Sequence, residues 1–278
     1  MDDDNVAPRD AASAGDDAPA RGAETKAGRP IVTLEIVRHD PEVRQFVRKA
    51  DENLAVLGYT EHGPRHAGLV ADIAQNVLLR LGYPRREAEL AAIAGYLHDI
   101  GNGISRLDHG IAAAQLAPRV VERHGKPPPE IVEVMCAHRH HEEEFRRVLF
   151  RSLGMPLAEI IEVMCAIGNH EEEYGEPVSA LAAAVILADK SDVHRSRVRV
   201  IDPTTDDIHD RVNTATERSF LAVDAHARTI TLQMDIDTET IRLMEYFEIF
   251  LERMVMCRKA AESLGCRFGL EMNGTRLL

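Results

Sequence analysis

Apolar positions along most of the chain recur at helical spacing, and only near the C-terminus does the period fall to two. Residues 1 to about 30 stand outside both patterns. They are Asp, Ala, Gly and Pro with almost no large apolar residue, so burial cannot offset ordering entropy, and a disordered acidic tail is predicted. A helix is predicted from Pro41, with Val43, Phe46, Val47 and Ala50 on one face. A second spans about 64 to 81, where His66, Val70, Ile73 and Val77 fall at i, i+4, i+7 and i+11 and Gly82 follows as a stop. Pro84 opens the next, which runs through Tyr96-Leu97-His98-Asp99 and stops at Gly101-Asn102-Gly103; another begins near Asp108-His109. Val178, Ala182, Val185 and Asp189 share a helical face, so the Asp189 carboxylate points inward and needs a partner.

Beyond Pro203 the pattern changes. Ile230, Leu232, Met234 and Ile236 alternate with polar residues, which predicts a strand with one buried face. Ser219 to Val223 is expected to pair with it through a turn near Asp224 to Ala227, and Phe268, Leu270 and Met272 alternate in the same way. A long amphipathic helix, about Thr238 to Leu264, lies between. The predicted fold is mainly α: an all-helical domain over 31–200, then a small C-terminal α+β element with an antiparallel sheet over 201–278.

Composition narrows the function classes. A hydrophobic share of 45% in 278 residues is enough for a real core. The net charge of −13 argues against broad nucleic-acid binding, though a local pocket can still hold one small phosphorylated ligand. Four cysteines without a CxxC pair, no basic-then-apolar leader and no long apolar run point to a cytoplasmic chain without a membrane span.

One stretch disturbs the pattern. Gly125 to Phe145 and Gly154 to Tyr174 align at a spacing of 29 with 13 identities in 21 positions. Between them, Arg146 to Ser152 reads as the translation of a common sequencing adapter. The reading is that two overlapping fragments were joined, so that the region 125–174 contains an artefactual duplication of about 29 residues; a genuine tandem duplication with a basic loop is the rival. Sequencing the locus from source DNA separates them. The consequence is that His138, His140 and His141 are weighted low, and His170, in the copy that runs uninterrupted into Asp189, is the better ligand candidate.

Three His-Asp dipeptides occur. His39-Asp40 precedes Pro41 and is read as a helix start, and His209-Asp210 sits in a polar run and is read as solvated. Only His98-Asp99 ends an apolar helix, with His66 on the preceding helix and Asp189 on a later one. A lone histidine on an apolar face is most often a hydrogen-bonded core residue. Imidazoles and carboxylates converging from several inward faces reverse that reading, because a first-row metal neutralises the desolvated carboxylates and accepts the ring nitrogens.

On these residues the sequence resembles the HD superfamily of metal-dependent phosphohydrolases over roughly 60 to 195. Leu97-His98-Asp99-Ile100-Gly101 and Leu187-Ala188-Asp189-Lys190 carry the resemblance. It implies metal ligands at His66, His98, Asp99 and Asp189. His109 and His170 fall where two-metal members place extra ligands, as in bacterial HD hydrolases of nucleotides. One departure is Asn102, where many members carry Lys.

The activity implied is cleavage of a phosphomonoester or phosphoanhydride of a nucleotide by a metal-activated hydroxide. Asp99 and His98 lie at its catalytic centre, and two divalent transition ions are held, with Fe, Mn, Co, Ni and Zn not distinguished. Lys190, Arg195 and Arg197 neutralise substrate phosphate, unless they form only a solvated basic helix end. The alternatives are an HD-fold di-iron oxygenase and a non-catalytic nucleotide-binding signalling module. The partner expected is a small phosphorylated substrate. A homodimer through the C-terminal region, suggested by Met244, Met254 and Met256, is a weaker expectation.

Overall fold

In the computed structural model, which describes residues 31–121, 155–199 and 208–278, helices begin where the sequence offers caps. The tail, Cys136, His138 to His141, the adapter-like peptide and Pro203 lie outside the described residues. Helix α1 (Leu34–His39) hands over to α2 (Pro41–Val56) at Asp40. The Asp40 carboxylate accepts from the amides of Glu42 at 2.8 Å and Val43 at 3.1 Å, and Pro41 takes the first helical position, so His39-Asp40 is a helix start.

Helices α3 (Pro64–Arg80) and α4 (Arg85–Leu97) pack against each other. A Cβ on Gly95 would lie 3.2 Å from the backbone of Val70 and Ala71, so this glycine sets how closely the two helices approach. Beyond α4 the chain passes through His98 and Asp99 into a 3-10 turn, Ile100–Gly103, and then into α5 (His109–Val121) and α6 (Leu157–Gly168). Ser179 caps α7 (Ala180–Ser191) by accepting from the amide of Ala182 at 3.2 Å. Every residue of α7 from Leu181 to Ser191 is buried, whereas Val178 lies before the helix and is exposed. A 3-10 turn, Arg195–Arg197, precedes α8 (Ile208–Ala215).

The C-terminal strands form one sheet in the order β1 (Thr216–Asp224), β2 (Thr229–Ile236), β3 (Arg267–Met272), β4 (Thr275–Arg276). Asp224 closes the β1–β2 hairpin by accepting from the amides of His226 and Ala227. The buried positions of β2 are Ile230, Leu232, Met234 and Ile236, as the alternation predicts. The sheet is mixed rather than antiparallel, because β2 and β3 run parallel. The helix between them, α9 (Leu243–Ser263), is the crossover that a parallel pair requires. Alternation reports which side chains are buried and is silent on strand direction. The described residues from Val32 to Leu278 form one compact unit, with α9 packed on α7 as well as on β3. No helix among the described residues is long and apolar enough to cross a membrane.

Candidate metal centre

Six side chains meet where the ends of five helices converge. His66 stands in the first turn of α3, His98 and Asp99 just past α4, His109 at the start of α5, His170 just past α6, and Asp189 in the last turn of α7. All six are buried. Nε2 of His66 lies 3.2 Å from Nε2 of His98, and Nε2 of His109 lies 3.2 Å from Nε2 of His170. Asp99 sits between the two pairs. Its Oδ2 is 3.3 Å from His98 and 3.6 Å from His66, while its Oδ1 is 3.2 Å from His109 and 3.9 Å from His170. Oδ1 of Asp189 faces the first pair, 3.4 Å from His66 and 3.6 Å from His98.

The far side of each ring explains what the near side offers. Nδ1 of His66 donates to Asp192 at 2.7 Å, that of His98 to the Gly95 carbonyl at 2.7 Å, and that of His170 to the Ile167 carbonyl at 2.6 Å. Nδ1 of His109 faces the Arg106 carbonyl at 3.2 Å and Glu171 at 3.3 Å. The partners of His66, His98 and His170 only accept, so Nδ1 carries the hydrogen and each of these rings, when neutral, turns an Nε2 lone pair inward, whereas Nδ1 of His109 also has the Arg106 guanidinium at 3.0 Å. Two lone pairs 3.2 Å apart repel unless a proton or a cation lies between them. Oδ2 of Asp99 is buried and has no hydrogen-bond partner among the described residues. The donor set therefore fits divalent cations. The sets His66, His98, Asp189 and His98, Asp99, His170 each bring three ligand atoms within 4.8 Å of one another.

Charge in the cluster follows from burial and neighbours. Burial opposes a proton on His98, but the carboxylates of Asp99 and Asp189 outweigh it and push the ring up to about 10. Burial and the positive charges around His170 push that ring down to about 3, which leaves it neutral. Burial disfavours the Glu171 carboxylate, yet the hydrogen bond from His109 dominates and lowers it to about 2. In the metal-free protein His98 thus contributes stability that is full below about pH 6.5 and is lost as pH rises through about 10. Since a metal ligand must be deprotonated, loading Mn2+ or Zn2+ at pH 7 is expected to release about one proton per chain. Calorimetry in buffers of different ionisation enthalpy measures it, and metal binding without proton release would contradict this assignment.

Around the cluster stand residues that no motif pointed to. Asp192 is buried and accepts from Arg65 at 3.0 Å as well as from His66, and with Arg197 nearby its carboxyl is held well below the usual range despite burial. Asp192→Ala is expected to lower metal affinity roughly 10- to 100-fold, as loss of an outer partner of a ligating histidine does. Titration of the metal, with circular dichroism to confirm the fold, checks this. Asn102, standing where Lys is common, donates to Oδ1 of Asp99 at 3.0 Å, while Asn53 donates to its carbonyl at 3.0 Å. It aims the carboxylate and brings no charge.

A polar pocket of about 80 Å3 opens onto the cluster, its wall including His62, Arg106, Lys190, Arg197 and Arg253. Lys190 is buried, 2.5 Å from Asp189 and 3.2 Å from Glu172. Arg253, on α9, reaches Glu172 at 2.8 Å. Arg197 is saturated by the chain itself, donating to the carbonyls of Glu61 and Asp192 and to Nε2 of His62. Arg195 is not part of this wall. It is exposed and pairs with Glu217 at 2.8 Å, because on the short turn Arg195–Arg197 the two arginines face different ways. The downstream copy of the duplicated stretch supplies both α6 and His170.

The family model described as HD domain matches residues 65–193, which hold all six clustered side chains. No curated protein matches the chain.

Proposed function

We propose, from the match of residues 65–193 to the HD domain model, a family whose members are generally metal-dependent phosphohydrolases, that this chain cleaves a phosphomonoester or phosphoanhydride of a nucleotide. The observation that carries the proposal is the carboxylate of Asp99, with one oxygen turned to each histidine pair. His66, His98, Asp99 and Asp189 would hold one divalent ion, and Asp99, His109 and His170 a second. Bound there, such ions supply Lewis acidity to phosphoryl oxygens and lower the pKa of water toward about 7.

The chain's own residues do the rest. Asp192 and the carbonyls of Gly95 and Ile167 fix the ring tautomers, and Asn102 fixes the rotamer of Asp99. Lys190 offsets the negative charge of Asp189 and Glu172 at the pocket wall. Arg106 has no carboxylate partner among the described residues and stands 3.0 Å from the His109 ring, so it is the cation best placed for a substrate phosphate. The Tyr59 ring lies 5.1 Å from that guanidinium and is half exposed, a face on which a nucleobase can stack.

The test is phosphate release from a panel of phosphorylated metabolites by protein loaded in turn with Mn, Fe, Co, Ni and Zn, under anaerobic conditions. Release of phosphate from nucleotides is expected. Inactivity with every ion, or turnover that needs O2, would overturn the proposal, and the latter would favour an oxygenase.

A further inference from the structure

The cations at the wall of the polar pocket are not held equally. Lys190 is tied to Asp189 and Glu172, Arg253 to Glu172, and Arg197 to two carbonyls and the His62 ring. Arg106 has no carboxylate partner among the described residues, and its guanidinium rests on two rings instead, His109 and, at 5.1 Å, Tyr59. It stands between the 3-10 turn Ile100–Gly103 and α5, where Ile104, Ser105, Leu107 and Asp108 around it are exposed. Its side chain can therefore leave the ring without unpacking a helix.

Nη1 of Arg106 lies 3.0 Å from Nδ1 and 3.2 Å from Nε2 of His109. A point so nearly equidistant from the two ring nitrogens is on neither lone-pair axis, so the charge sits against the ring as a whole. Nε2 of His109 is also 3.2 Å from both Nε2 of His170 and Oδ1 of Asp99, which makes it the atom through which His109 would join a second ion. A first-row ion such as zinc bonds a ring nitrogen at about 2.1 Å, so that ion and Nη1 would crowd one nitrogen with like charges. Glu171 faces Nδ1 at 3.3 Å and accepts from the Gly110 amide, but no ion pair joins it to Arg106 among the described residues. His66 and His98 make no hydrogen bond to Arg106, so the repulsion falls on the second position and not on the first.

We propose that Arg106 gates the second cation position: against His109 it opposes the ion, and a phosphate entering the polar pocket draws it off, so that second ion and phosphate favour each other. The inference rests on the reading that Asp99, His109 and His170 hold a second ion. A guanidinium presents paired donors that phosphate oxygens accept and an imidazole face does not. The coupling is reciprocal, so the second ion raises phosphate affinity by the factor that phosphate raises its own.

The experiment titrates the full chain, stripped with a chelator, with Mn2+ by calorimetry, with and without inorganic phosphate, while electron paramagnetic resonance follows spin coupling between two Mn2+ ions. Arg106→Met keeps the aliphatic stem and removes the charge, and a thermal melt confirms that it folds. Without phosphate, the variant is expected to bind the second ion about tenfold or more tightly than wild type does, with the first ion unchanged. Phosphate is expected to raise second-ion affinity more in wild type than in the variant. Equal or weaker second-ion binding by the variant, or an equal phosphate effect in both proteins, would overturn the gate, and two coupled ions would then leave the two-ion reading standing. A single uncoupled ion in both proteins, with and without phosphate, would overturn that reading and the gate with it.

Discussion

Asp99→Asn is expected to abolish metal retention at the second histidine pair and to lower hydrolytic turnover by more than the roughly 100-fold that an outer partner such as Asp192 commands. The two oxygens of Asp99 are directed to different rings, Oδ2 to His98 and His66 and Oδ1 to His109 and His170. An amide replaces one of them by an NH2 group, which donates and cannot ligate a cation. It also removes the charge that raises His98, so that ring would titrate lower and the proton released on loading would diminish. Elemental analysis of the purified variant, kcat/KM and a thermal melt separate loss of the site from loss of the fold. A folded variant with full metal content and activity would exclude Asp99 from the centre of the reaction.

Gly101→Ala is expected to destabilise the protein by about 3 kcal/mol, near the upper end of overpacking effects, and to reduce metal binding even where the chain still folds. A Cβ at this position would lie 2.0 Å from the carbonyl oxygen of His109 and 2.6 Å from the amide nitrogen of Ala113. Both are backbone atoms of α5, so no rotamer change relieves the clash. The only relief is to push α5 away from the turn after α4, which carries His109 away from Asp99. Chemical denaturation reports the first effect and metal titration the second. A wild-type midpoint would show that the two segments do not approach this closely.

How much of this was legible in the sequence depends on the kind of information involved. Helix α3 and strand β2 were legible because each buries one face, whose period differs between helix and strand, whereas α4 and α7, buried almost all round, showed as apolar runs. Helices α1 and α8, of six and eight residues, are too short for a period to stand out. The parallel pairing of β2 with β3 was hidden because alternation is the same in either direction. Within the cluster, His66, His98, Asp99, His109, His170 and Asp189 could be named because they sit in local strings on helix ends. Asp192, His62, Arg106 and Arg253 could not, since their relevance is a matter of which distant segment folds against them. Of the two arginines named from the sequence, Arg195 and Arg197, only Arg197 stands at the pocket, which shows the limit plainly. Two residues of one type on the same short turn differ only in direction, and direction there is set by Glu61, His62 and Glu217.

The burial of α7 on all sides bears on how the protein can be divided. Its covering comes from α3 and α4 on the upstream side and from α9 on the downstream side. A fragment cut at residue 193, where the family match ends, would leave an apolar helix facing water along the side that α9 covers. It would also lack Arg197 and Arg253 from the wall of the polar pocket. The smallest autonomous unit for this chemistry is consequently longer than the matched segment and extends through α9. Any shortened version made for crystallisation or spectroscopy should retain that helix.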